Sequence, residues 1–165
     1  MSALEKEWER ITDQIITTDD GRNSTSIAYR MKSFQFSYGF GIPTYKTMKE
    51  LACLLKEWAD DTDLCIVSIG CGKALVEHAL MEMTSLPIIC TDITPYDSTS
   101  FVDSDSYECV NSIHATSKHS QYHSCLITVW PLYGHTMASD AICNAIKWGR
   151  PWEYIIYIGE GEGGC

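Results

Sequence analysis

Two glycines and one acid have types and spacing that could do chemistry. Gly70-Cys71-Gly72-Lys73-Ala74 follows the apolar run 64–69, and Asp92 closes a second apolar run 22 residues after Gly70. Glycines at the carboxyl end of a strand let the backbone come close to a ligand, and the helix that follows offers free N–H groups. A carboxylate about 20 residues further on typically accepts hydrogen bonds from ribose hydroxyls. The set reads as a nucleoside site; the plainer alternative is a tight turn and an ordinary strand-ending acid. A phosphate-cradling Gly-x4-Gly-Lys-Ser/Thr loop is excluded, because Val67 stands where its first glycine belongs and Ala74 where its hydroxyl residue belongs. The dinucleotide fingerprint lacks its third glycine, since position 75 is Leu, which disfavours a nicotinamide dinucleotide. What remains is a nucleoside without a pyrophosphate.

Other groups are weaker. Trp130-Pro131-Leu132-Tyr133 ends another apolar run, where an aromatic ring suits stacking on a planar group or simply caps the core. Glu160 and Glu162 lie in a glycine-flanked segment after the last apolar run, a place for substrate contact, for general-base work or for a solvated turn. His119 and His123 are four residues apart and Cys125 follows; on one helix the two imidazoles would share a face. The surrounding residues are polar, Cys125 opens a strand-like run and no Cys-x-x-Cys is present, so no metal site is expected. Cys71, between two glycines at a helix start, has the setting of a reactive thiolate. With no histidine close by in sequence, its expected role is that of a loop residue under a ligand.

The elements that must position these residues follow from hydrophobic period. Leu4, Trp8, Ile11 and Ile15 recur at helical spacing after the capping pattern Ser2-Ala3-Leu4-Glu5, which predicts a helix over 3–17. Residues 18–26 read as a loop and 29–40 as an irregular aromatic segment. Met48, Leu51, Ala52, Leu55 and Trp58 predict a second helix over 45–59. The runs 64–69, 87–91, 125–130 and 154–158 are continuously apolar, as strands buried on both faces are. A weak strand is expected over 107–113, with a loop or short helix at 94–106. Helices are expected over 74–83 and 137–148. Strand and helix in alternation predict an α/β, Rossmann-like parallel sheet of about five strands, order 3-2-1-4-5, with helices on both faces. One domain is expected over 1–165, with helices and a covering segment in 1–60 and the sheet core in 61–165.

Composition bounds the partners. The chain has 165 residues, 45% of them hydrophobic and 21% charged, with a net charge of −10. That length supports a core without disulfides, and that charge disfavours duplex nucleic acid and anionic membrane surfaces. No apolar run is long enough to span a bilayer, and the first residues lack a secretory pattern. The eight cysteines, several inside apolar runs, then read as reduced thiols in a cytoplasmic or nuclear setting.

Residues 29–164 resemble a class I S-adenosylmethionine-dependent methyltransferase. The resemblance rests on Gly70 and Gly72, on Ala74 in place of a third glycine, on Asp92 and on the upstream Tyr38-Gly39. Within that superfamily the likeness is to poorly characterised members, through Ile42-Pro43, Trp130 to Tyr133 and Gly159 to Gly164. Ser68 stands where the family usually has Asp or Glu. The segment 130–133 distantly resembles the Asn/Asp-Pro-Pro-Tyr motif of amino methyltransferases, with Trp130 in place of the polar residue that would hold an amine.

The resemblance implies S-adenosylmethionine as cofactor, held by Tyr38, Gly39, Ser68, Gly70, Cys71, Gly72, Asp92 and Trp130. It implies that Pro131, Tyr133 and Glu160 face a small-molecule or protein acceptor. The family's sheet has seven strands and this sequence accounts for five, so the edge at 154–158 is expected to self-associate or bind a partner. The alternative is an inactive methyltransferase fold serving as a protein-interaction module, which Ser68, Trp130 and the short sheet would suit.

Overall fold

The computed structural model describes residues 3–16, 43–60, 63–121, 123–131 and 135–159. Helix α1 (Ala3–Ile16) buries Trp8 and Ile11. The Trp8 indole N–H donates to the Pro43 carbonyl at 2.8 Å, which ties α1 to the start of α2 (Tyr45–Ala59). Thr44 caps α2 by accepting the Thr47 N–H at 3.2 Å, as a short hydroxyl residue does at a helix start. Of the predicted apolar face of α2, Met48, Ala52 and Leu55 are buried and Leu51 and Trp58 half-buried against the same core.

Five parallel strands follow: β1 (Cys65–Ile69), β2 (Ile88–Asp92), β3 (Tyr107–Cys109), β4 (Ser124–Val129) and β5 (Tyr154–Ile158). They lie in the order β3-β2-β1-β4-β5, the arrangement expected from the sequence. Helices α3 (Leu75–Thr84), α4 (Ser112–His119) and α5 (Met137–Lys147) connect them. Alternation along β1 divides the core. Ile66 faces a cluster with Trp8, Met48, Leu55, Ala79, Leu80, Ile127 and Ile156, which brings α1, α2 and α3 to one side. Val67, Ile69 and Leu126 face Ala115, Ala141 and Ala145 of α4 and α5 on the other. Both sides are covered, which is why the central strands carry no polar alternation.

The segment 107–113 departs from expectation. Its strand is only three residues long, and a helix that the sequence reading did not anticipate begins at Ser112. Asn111 explains the switch: its side chain accepts the His114 N–H at 2.8 Å and starts α4. Ala115 and Thr116 then turn inward in a stretch that is polar elsewhere. Residues 94–106 form a loop that closes with a single 3-10 turn, Ser104–Ser106. Among the described residues no helix is long and apolar enough to cross a membrane, and no cysteine is in a disulfide.

Candidate functional site

The carboxyl end of β1 is built for close approach. Gly70, Gly72 and Ala74 take φ of 67°, 56° and 59°, so three alternate residues lie in the left-handed region. Glycine occupies two of them because it adopts that region without a Cβ penalty; Ala74 bears the cost. The turn is bound to β2: the Gly70 and Cys71 N–H groups donate to the Thr91 carbonyl at 2.8 and 3.1 Å. A Cβ on Gly70 would come within 2.6 Å of the Met137 methyl group, so glycine also lets the start of α5 close over the strand end.

Asp92, the last residue of β2, borders the cavity beside this turn. One of its carboxylate oxygens accepts the Gly72 N–H at 2.9 Å and the other the Thr94 N–H at 2.8 Å. Two backbone amides thus fix the carboxylate, and each oxygen keeps a further lone pair.

These residues border a cavity of about 580 Å³. Gly70, Cys71 and Gly72 form its floor with Leu75, Val76 and Glu77 of α3. Asp92, Ile93, Thr94 and the stretch 110–113 form one wall; Val129, Trp130, Pro131, His135, Thr136, Met137 and Asp140 form the other. The cavity therefore lies at the carboxyl ends of β1 and β4, where the strand order reverses and where open α/β sheets bind ligands.

Its walls carry three carboxylates, Glu77, Asp92 and Asp140, and among the described lining residues no lysine or arginine. Glu77 is only 1% exposed. Its carboxylate accepts the Ser68 hydroxyl at 2.5 Å. Burial pushes Glu77 up to about 7; the Ser68 bond and its own amide offset part of that, and Asp92 adds to it. Cys71 is driven strongly upward by its hydrogen bond with Cys90, by burial and by nearby Glu77 and Asp92. That direction favours the protonated thiol over the thiolate.

Trp130 stands at φ 49°, in the left-handed region that a bulky side chain rarely enters. Its N–H donates to the Ile158 carbonyl at 2.6 Å, which holds the strained residue between the ends of β4 and β5. Such strain costs on the order of 1–3 kcal/mol and clusters at ligand sites.

Of the residues singled out in the sequence, Gly70, Cys71, Gly72, Asp92, Trp130 and Pro131 all border the cavity. Ser68 does not: its side chain is fully buried beneath α3 and reaches Glu77, which does border it. Tyr38, Gly39, Tyr133, Glu160 and Glu162 lie outside the described residues. His119 bonds Glu108 and His123 pairs with Glu153, each at 2.9 Å. His123 immediately precedes β4, at the end of the sheet remote from the cavity. Among the described residues no cluster of three His, Cys, Asp or Glu side chains could hold a metal ion.

The sequence reading passed over Glu77, Ile93, Asn111, His135 and Asp140. Only Glu77 left a signal: it falls on the inward stripe of α3 with Val76, Leu80 and Thr84, where an acid is out of place. Ile93, Asn111 and His135 reach the cavity from connecting segments and Asp140 from the first turn of α5. No family model, curated protein or solved structure matches this chain.

Proposed function

We propose that the chain binds S-adenosylmethionine and passes its methyl group to a small-molecule or protein acceptor. One observation carries this reading: the Gly70–Gly72 turn and Asp92 share a cavity whose described walls hold Glu77, Asp92 and Asp140 but no lysine or arginine. A pyrophosphate would meet like charge there, whereas a positively charged nucleoside meets opposite charge. The volume lies within the roughly 300–1,000 Å³ of small-molecule pockets. Asp92, oriented by the Gly72 and Thr94 amides, retains lone pairs for ribose hydroxyls. The Leu75 and Val76 amides at the start of α3, where Ala74 supplies no side-chain cap, suit a ligand carboxylate.

S-adenosylmethionine supplies an electrophilic methyl on a sulfonium whose departure leaves a neutral thioether. The chain's own task is then alignment more than acid–base work. Trp130 and Pro131 wall the cavity where an acceptor would enter, and the Trp130 ring suits a planar one. His135 and Asp140 are the titratable groups of that wall, suited to take the proton an acceptor gives up.

A second reading, an inactive fold that binds a protein, draws support from the exposed Ile146, Trp148, Ile155 and Tyr157. Calorimetric titration with S-adenosylmethionine, S-adenosylhomocysteine and NAD, repeated on Asp92→Ala, tests both. The expected result is binding of the first two ligands and a loss of about 30- to 1,000-fold in Asp92→Ala, the worth of two charge-assisted hydrogen bonds. Absence of binding by all three would overturn the first reading in favour of the second.

A further inference from the structure

We infer that Cys71 and Cys90 form a redox-sensitive pair at the cavity floor: a hydroperoxide that enters the cavity oxidises Cys71, and Cys90 closes a disulfide with it. The inference stands apart from the choice of ligand, since it needs only the cavity and the two thiols.

The turn after β1 is strapped along the end of β2. The Gly70 and Cys71 N–H groups donate to the Thr91 carbonyl, and the Gly72 N–H donates to the Asp92 carboxylate. Cys90 immediately precedes Thr91 on that strand. The Cys71 side chain packs against the core cluster that holds Cys90, and the two thiols share a hydrogen bond. Neighbouring strands lie about 4.8 Å apart, within the span that a disulfide bridges. The two thiols differ in access. Cys71 is half-buried and borders the cavity, whereas Cys90 is fully sealed. An oxidant therefore meets Cys71 first. The Cys71 sulfur attacks the O–O bond of hydrogen peroxide, becomes a sulfenic acid and passes its proton to the departing oxygen as water. The Cys90 sulfur then displaces hydroxide from the sulfenic sulfur, and its own proton completes a second water. The dithiol has given two electrons to the peroxide. The groups acting on Cys71 are Cys90 and Asp92 of β2, Glu77 of α3 and Tyr107 of β3, all acidic or neutral. They hold it as a thiol, so attack is slow at neutral pH and quickens as pH rises.

The test treats the fully reduced chain with hydrogen peroxide and follows it by mass spectrometry. The expected product has lost two hydrogens, joins the peptides of Cys71 and Cys90, and regains its starting mass with dithiothreitol. Between about pH 7 and about pH 8 bridging should quicken roughly tenfold, as thiolate grows from a protonated thiol. In Cys90→Ser, Cys71 is expected to stop at the sulfenic acid, which a dimedone probe labels. In Cys71→Ser, Cys90 should stay reduced. Should either variant not fold, the peptide map of the wild type decides alone. Absence of a joined Cys71–Cys90 peptide, or a map in which Cys71 bridges the exposed Cys109 instead, would overturn the inference. A rate indifferent to pH, or dimedone labelling of Cys90 in Cys71→Ser, would overturn first attack by Cys71.

Discussion

Replacing Glu77 by Gln should change how stability depends on pH. An ordinary glutamate ionises near 4.5, whereas burial holds Glu77 at about 7 in the fold. The unfolded chain therefore loses this proton first as pH rises. The contribution of Glu77 to stability is fully present below about pH 4.5 and is lost as pH rises through about 7. At about 1.4 kcal/mol for each pH unit between those values, the loss amounts to roughly 3 kcal/mol. Glutamine has nearly the same shape, can still accept the Ser68 hydroxyl and does not ionise. Urea unfolding followed by tryptophan fluorescence, on wild type and Glu77→Gln, measures the difference. Between about pH 4.5 and about pH 8, wild-type stability should fall relative to the variant by roughly 3 kcal/mol. Titrating groups that do not touch Glu77 cancel in that difference, because both proteins carry them; Asp92 and Cys71, which feel its charge, shift with it. A difference that stays constant across the range would refute the claim that burial raises the proton affinity of Glu77.

Two further outcomes test the turn and the sheet edge. Gly70→Ala should cost about 1–3 kcal/mol in urea unfolding, because a Cβ is placed at φ 67° and against Met137; Met137→Ala in the same chain should recover only the steric share. A variant as stable as wild type would show that the turn tolerates a side chain. Strand β5 pairs with β4 alone among the described residues, and its Ile155 and Tyr157 are 45% and 49% exposed. Light scattering should show a mass that rises with concentration and falls back in Ile155→Lys, as charge blocks edge pairing. A strict monomer at high concentration would refute that.

The sheet was legible in the sequence because its strands advertise themselves locally. Runs such as 64–69 and 154–158 are apolar but for Ser68, and their shortness and β-branched content fit a strand covered on both faces better than a helix. The spacing between them left room for a crossover each, so the parallel direction followed from connection length. A glycine turn was legible too, from Gly70 and Gly72; that these two and Ala74 all take the left-handed region was not, because alanine carries no such signature.

Tertiary structure decided the rest. A three-residue edge strand and a helix with two inward side chains are too weak a pattern to separate β3 from α4 by period. Trp130 enters the left-handed region because its N–H is drawn to Ile158, 28 residues away along the chain. The charge of the cavity emerges only when Glu77, Asp92 and Asp140 converge from three separate elements. Local sequence thus determines which segments are strands and helices, since each sets its own backbone and its own buried face. Whether an acid such as Glu77 is solvated or sealed against Ser68 depends on what the rest of the chain packs over it.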